Sequence, residues 1–207
     1  PLAAAIGAGI NVLAPEGNMI VDIGGGTTDI AVISLGGIVT KTSVKMAGNK
    51  FDEAIVRAVK NNHNVLIGEK TGEQVKKNIG SAYPPAEEKT MEIKGRNLYT
   101  GFPQKITVTS GEIYDALKEL VEVIITAVVS VLDVTPPELT GDIIKNGIYL
   151  TGGGSLLSGL DKLISERTGL KCRVADDPVE CVAIGTQKCL KYASELKEGF
   201  YNPLAKR

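Results

Sequence analysis

Two glycine triplets are the residues of this chain best suited to chemistry: Asp22-Ile23-Gly24-Gly25-Gly26-Thr27-Thr28-Asp29 and Leu150-Thr151-Gly152-Gly153-Gly154-Ser155. Three consecutive glycines strip every Cβ from a stretch of backbone, so its N–H groups can approach a large anion. Each triplet follows a short apolar run, residues 19–23 and 147–150, that reads as a buried strand. A tight structural hairpin needs only one or two glycines, and a left-handed turn into a helix needs one. Two such triplets, each behind a strand, point to two halves of one nucleotide cleft.

The residues that follow tell the loops apart. Thr27-Thr28-Asp29-Ile30-Ala31-Val32-Ile33-Ser34 is rich in β-branched residues, so the first triplet is expected to join two strands as a hairpin. A Rossmann crossover would open a helix there with a G-x-G-x-x-G pattern, and a P-loop would need G-x-x-x-x-G-K-[ST]; neither occurs. Residues 156–164 have helical spacing, so the second triplet is expected to run strand–glycines–helix, with a helix N-terminus open to an anion or a ribose hydroxyl.

Other elements must hold these loops in place. Residues 1–9 read as a helix, and strands are expected over 19–23, 27–34 and 38–45, the last two joined at Leu35-Gly36-Gly37. Phe51, Ile55, Val56 and Val59 form one helical face, and a polar helix spans 71–79. Residues 90–94 and 105–109 alternate like paired edge strands around Gly95-Arg96-Asn97. Thr109 or Ser110 can cap a long helix whose stripe of Ile113, Leu117, Leu120, Ile124, Val128 and Val131 is widened by Val121, Ile125, Val129 and Leu132. That helix should be buried on most sides. Pro136-Pro137 ends it and opens the next. From Ser194 the tail is polar and expected to fray.

Composition narrows the class. A chain of 207 residues can bury a full core, and its 43% hydrophobic content is ordinary for a globular protein. No apolar run reaches the ~20 residues of a membrane span. A net charge of −1 offers no basic footprint for nucleic acid. Cys172, Cys181 and Cys189 lack C-x-x-C spacing and read as reduced core residues. His63 is the one histidine, with no Cys or carboxylate cluster beside it in sequence, and is not expected to bind metal.

The hairpin triplet resembles the second phosphate motif of the actin, Hsp70 and sugar-kinase superfamily, and the second triplet resembles its adenosine motif. Lys45-Met46-Ala47-Gly48-Asn49-Lys50-Phe51-Asp52, Ile67-Gly68-Glu69-Lys70-Thr71 and Thr135-Pro136-Pro137-Glu138-Leu139, taken with both triplets, resemble the MreB/Mbl bacterial actins over nearly the whole chain. Asp29, where many MreB proteins carry Glu, is similar to the Mbl branch.

The resemblance implies an α/β fold, an actin-like (ribonuclease H-like) ATPase lobe with a mixed sheet flanked by helices. Residues 1–46 plus 121–207 would form the core subdomain and 47–120 a smaller inserted α/β subdomain. It implies ATP with Mg²⁺ as ligands. Gly24, Gly25, Gly26 and Thr27 would hold the β- and γ-phosphates. Asp22 would be the catalytic carboxylate, orienting an attacking water or a water on Mg²⁺. Glu73 would accept from a ribose hydroxyl, the stem of Lys76 would cover the base, and Gly152, Gly153, Gly154 and Ser155 would face the adenosine. Asp29 is expected to be structural. The chain reads as the C-terminal half of a longer protein. ATP hydrolysis is expected of that whole, not of this stretch alone. The whole is expected to self-associate into cytoplasmic, membrane-associated filaments that work with the cell-wall elongation machinery and set rod shape, membrane contact coming through a first domain. A lobe of a metabolic kinase or of an Hsp70-type chaperone is the alternative. The first needs an acceptor-binding carboxylate; the second continues into a peptide-binding domain, of which the polar ending shows no sign.

Overall fold

A computed structural model describes residues 1–192 of the chain. The expected fraying from Ser194 and the polar ending lie outside the described residues. In chain order the first elements are α1 (Leu2–Gly7), β1 (Asn18–Ile23), β2 (Thr28–Ser34), β3 (Gly37–Val44), α2 (Gly48–His63), β4 (Val65–Leu66), α3 (Glu69–Ile79), β5 (Thr90–Asn97) and β6 (Pro103–Thr109). There follow α4 (Ser110–Asp133), α5 (Pro137–Asn146), β7 (Ile148–Thr151), α6 (Leu160–Thr168), β8 (Cys172–Val174) and α7 (Cys181–Tyr192).

The period of two in the first strands sets up a layered α/β structure. Met19, Val21, Ile23, Ile30 and Val32 face one side of the sheet, while Ile20, Ala31 and Ile33 face the other. Both faces are covered, which is why β1 and β2 read as nearly unbroken apolar runs. Strand order is β3-β2-β1-β7-β8, with β1, β2 and β3 antiparallel and β1, β7 and β8 parallel. This is the expected mixed sheet. The β2–β3 turn sits at Leu35-Gly36, both at positive φ (50° and 74°), as a primed hairpin turn requires. The Leu35 and Gly36 amides donate to the carbonyls of Ala14 and Val12, tying that turn to the segment after α1.

Helices α1 and α7 cover the Ile20 face. Gly7 and Gly185 make that contact close, because a Cβ on either would run into the other helix's backbone. On the opposite face α4 lies against β2 and β3 and buries Ile113, Leu117, Val121, Ile124, Val128 and Val131. Each such side chain contributes about 1.5–3 kcal/mol on leaving water. The Thr109 hydroxyl accepts from the Glu112 amide at 3.3 Å, the expected cap. One flank of α4 stays open at Val123. Pro137 opens α5 where its missing N–H costs nothing.

A second sheet, β4-β5-β6, is wholly antiparallel, and α3 packs on α2 beside it. Its buried residues, among them Ile93 and Val108, join the main core in one continuous cluster through α2 and α4. One expectation is corrected here. Gly95-Arg96-Asn97 does not turn the chain but continues β5, and the turn falls at 98–102. The lack of a Cβ at Gly95 is what lets β4 lie alongside, since a side chain there would strike Val65 and the Leu66 carbonyl. Asn97 supplies the turn chemistry, its Oδ1 accepting from the Tyr99 and Thr100 amides at 2.8 Å each.

Candidate functional site

Because β1 and β7 are parallel neighbours with Asp22 in register with Thr151, the two glycine triplets leave the sheet on the same side. They open on a cleft of about 690 Å³, within the range of small-ligand sites. Gly24 and Gly25 line it from one loop, Gly153 and Gly154 from the other, and Glu73 and Lys76 from α3.

The first triplet forms the expected hairpin. The Gly24 amide donates to the Thr27 carbonyl at 3.0 Å, so it is consumed within the turn. Among the described residues no acceptor meets the amides of Gly25, Gly26 and Thr27, which are exposed. The Gly24 and Gly25 carbonyls point the other way and accept from the Gly48 and Asn49 amides at 3.1 and 2.8 Å. The Thr27 hydroxyl donates to Asp29 Oδ2 at 2.9 Å. Asp29, the cross-strand partner of Asp22, thus braces the hairpin. Gly26 and Thr27 stand at its tip, outside the cleft lining.

The second triplet departs from expectation. No α-helix starts at the glycines. A single 3₁₀ turn over Gly153–Leu156 follows Gly152, Leu157 is extended, and α6 begins only at Leu160. The cause is local. Gly152 has φ +78° and lies against Ile23, and the Ser155 hydroxyl donates to the Gly152 carbonyl at 2.6 Å, closing the turn on itself. The N-terminus of α6 therefore does not adjoin the triplet. Gly153 is exposed to the cleft and Gly154 is buried at its wall, while Gly152 and Ser155 are buried outside its lining.

Asp22 sits between the loops. Its Oδ1 accepts from the Thr151 hydroxyl at 3.2 Å, and a Cβ on Gly152 would come within 2.7 Å of the same oxygen. Burial raises its pKa above the usual carboxylate value, against the Thr151 hydrogen bond and the distant N-terminal charge, with Asp29 adding to the rise. Half-buried at a strand end, it forms no cluster: among the described residues no three His, Cys, Asp or Glu side chains gather as a metal site. One carboxylate suits Mg²⁺ all the same, because that ion keeps most of its waters and takes its other ligands from phosphates.

On α3, Glu73 pairs with Lys77 on the helix surface at 2.7 Å, and Lys77 lowers its pKa. Lys76 turns inward. Its ammonium lies 2.8 Å from Asp52 Oδ1 and donates to the Gly48 carbonyl at 3.1 Å. Asp52, Gly48 and Asn49 line the cleft and were not among the site residues expected from sequence. The signal was present in Ala47-Gly48-Asn49-Lys50-Phe51-Asp52, but Asp52 reads there as the polar face of a helix. His63 Nε2 lies 2.9 and 3.1 Å from the two Glu112 oxygens, and Asn62 donates to the same carboxylate. The three cysteines are free thiols, and burial pushes that of Cys172 up to about 12.

The model of the MreB/Mbl protein family matches residues 1–198. The chain is 52% identical over 186 residues to the cell shape-determining protein Mbl of Bacillus cereus, covering 90% of this chain and 56% of that protein. It is 51% identical over 191 residues to the cell shape-determining protein MreB of Escherichia coli, covering 92% and 55%. It thus spans about half the length of the curated relatives it matches. Among solved structures, MreB5 of Spiroplasma citri bound to AMPPNP superposes with a TM-score of 0.88 at 43% identity, over 93% of this chain and 58% of that one. The MamK double helical filament superposes at 0.75 and 26% identity, over 95% and 59%. The fold is actin-like, and the chain belongs to the MreB/Mbl family.

Proposed function

We propose that the cleft binds ATP with Mg²⁺, and that this chain is the nucleotide-binding half of an actin-like ATPase whose filaments organise cell-wall synthesis and rod shape. The observation that carries the reading is the cleft itself, with one glycine triplet on each side of it. The AMPPNP complex of MreB5 supports the ligand, and the MamK filament supports self-association. Filaments in the cytoplasm at the membrane, and contact with the elongation machinery, belong to the same reading, which the relatives' names as cell shape-determining proteins support. The match to the MreB/Mbl family model speaks against a metabolic kinase or a chaperone lobe.

In this reading residues 1–46 plus 121–207 form the core subdomain and 47–120 the smaller one, with the cleft between them. The Gly25, Gly26 and Thr27 amides take phosphate oxygens. Gly24 serves by turning the hairpin, its amide being occupied. Gly153 lies flat against the adenosine, with Gly152, Gly154 and Ser155 shaping its turn, and Glu73 reaches a ribose hydroxyl. Lys76 presents its methylene stem, its head being held elsewhere. Asp22 would orient a water on Mg²⁺, or the attacking water, by accepting a hydrogen bond from that water. Mg²⁺, when bound, neutralises developing phosphate charge.

The chain should bind ATP weakly, with a Kd in roughly the millimolar to high-micromolar range, because it supplies one wall of a cleft that the family closes from two sides. A titration followed by amide NMR tests this. The Gly25, Gly26, Thr27 and Gly153 resonances should shift with Mg-ATP. Saturating Mg-ATP that leaves all four in place sinks the reading.

A further inference from the structure

We propose that Asp52 is a positioning residue for the phosphate side of the cleft, acting through Lys76 on the Gly24–Gly26 hairpin. This rests on the nucleotide reading above.

Helix α2 begins without a side-chain cap: Ala47 stands at its N-cap position and accepts nothing by its side chain. The first amides of a helix have no partner within it. Here the hairpin supplies the partners. The Gly24 carbonyl takes the Gly48 amide and the Gly25 carbonyl takes the Asn49 amide. Two adjacent peptide groups of the phosphate hairpin are thus fastened to the first turn of α2, with their remaining amides aimed outward.

That first turn also meets a cation. Lys76 comes across from α3, donates to the Gly48 carbonyl at 3.1 Å and sits 2.8 Å from Asp52 Oδ1. Asp52 follows Gly48 by four residues, so it stands on the same face of α2, one turn along. Both side chains are 15% exposed, which leaves the pair poorly screened. Asp52 Oδ1 is fully buried and makes no aligned hydrogen bond, so the Lys76 charge is what compensates it. Hairpin, α2 and α3 are closed into one unit at this point. Gly48 packs closely at this point, where a Cβ would meet the Gly24 oxygen at 3.3 Å and Lys76 Nζ at 3.4 Å.

Without Asp52 the ammonium is free to leave Gly48, and the hairpin amides lose their fixed aim. Preorganised donors are what recognise charge well, so the loss should fall on phosphate and spare the nucleoside. Removing one member of a buried pair can unfold a protein, whereas replacing both with apolar residues is often neutral. The informative variant is therefore Asp52→Leu/Lys76→Met, in which Met keeps an unbranched apolar stem against the base and removes only the charged head, with Lys76→Arg as the conservative control.

Amide NMR on the 207-residue chain reads both consequences. In the double variant, ATP affinity should fall about tenfold while adenosine affinity stays within about twofold. Hydrogen exchange at the Gly48 and Asn49 amides should speed up about tenfold, and Lys76→Arg should retain both properties. An unchanged ATP-to-adenosine ratio with unchanged exchange overturns the proposal. So does an equal loss of both ligands with normal exchange. If the parent chain binds neither ligand, the nucleotide reading fails, and exchange at Gly48 and Asn49 alone decides whether Asp52 holds the hairpin.

Discussion

The Thr151 hydroxyl donates to Asp22 Oδ1 across 3.2 Å, between two residues that are register partners at the parallel ends of β1 and β7. This one bond ties the strand before the first glycine triplet to the strand before the second. It also favours the charged form of that carboxylate, but burial outweighs it and Asp22 holds its proton more tightly than an unfolded Asp does.

The sign of a pH effect follows. A carboxyl whose pKa is raised in the folded state contributes stability while protonated, below its unfolded value near 3.8, and loses it as pH rises through the folded value. At neutral pH the charged Asp22 therefore costs stability. Asp22→Asn keeps an oxygen for Thr151 without the charge, so it should melt higher than the parent at pH 7.5. The gap should narrow as the pH falls toward 4.5. Thermal melts at both pH values check this, and a gap that widens on acidification reverses the sign.

The glycines of the two triplets should respond differently to a methyl group. A Cβ on Gly152 would collide with the Ile23 backbone, and the residue sits at φ +78°. Gly152→Ala should therefore destabilise by about 2 kcal/mol or more, from strain and clash together. A Cβ on Gly26 meets nothing within 4 Å, and Gly26 is not at positive φ. Gly26→Ala should keep its stability within about 0.5 kcal/mol yet weaken ATP binding, because the methyl crowds the exposed tip amides that are proposed to take phosphate oxygens. Denaturant unfolding paired with an ATP titration separates the two. Equal stability losses would mean that Gly26 is there for folding.

The sheet was legible because its signals are local. The β-branched run through Ile30-Ala31-Val32-Ile33 and the apolar stripe of α4 each need one element, and the glycine triplets need only a strand ahead of them. What stayed hidden depends on a second segment. Residues 156–164 have helical spacing, but Ser155 closes a short turn on Gly152, which lies against Ile23 of another strand, and the helix starts only at Leu160. Gly95 looks like a turn residue until β4 is placed beside it. Asp52 looks solvated until Lys76 arrives from another helix 24 residues on, a pairing that no helical spacing can foretell.

The long helix α4 should be the element least tolerant of truncation. Leu117 and Ile124 are fully buried and belong to the cluster that joins the main sheet to the second sheet. Either change to Ala removes methyl groups and leaves a cavity, at a cost of roughly 2–5 kcal/mol. Val123→Ala, on the open flank, should cost well under about 1 kcal/mol. Chemical denaturation of the three variants measures this. A Val123→Ala loss as large as that of Leu117→Ala would place the buried face of α4 on the wrong side.

Hydrolysis is the last expectation. Phosphoryl transfer depends on donors and cations placed around the phosphate from all sides, and removing some of them costs far more than their share. At the hairpin of this chain stand two carboxylates in cross-strand register, and each accepts one hydroxyl, Asp29 from Thr27 and Asp22 from Thr151; Asp22 is the one placed between the two loops, where a water can reach its other oxygen. Lys76, a cation lining the cleft, is held on Asp52 and Gly48. Residues 1–207 alone should therefore bind Mg-ATP and release phosphate at the background rate, and Asp22→Ala should leave that rate unchanged. Phosphate release measured for both proteins, with circular dichroism to confirm folding, is the check. Robust turnover by the parent that Asp22→Ala abolishes would show that this one wall carries a complete catalytic site. Turnover that survives the substitution would mean that the catalytic role belongs to another residue.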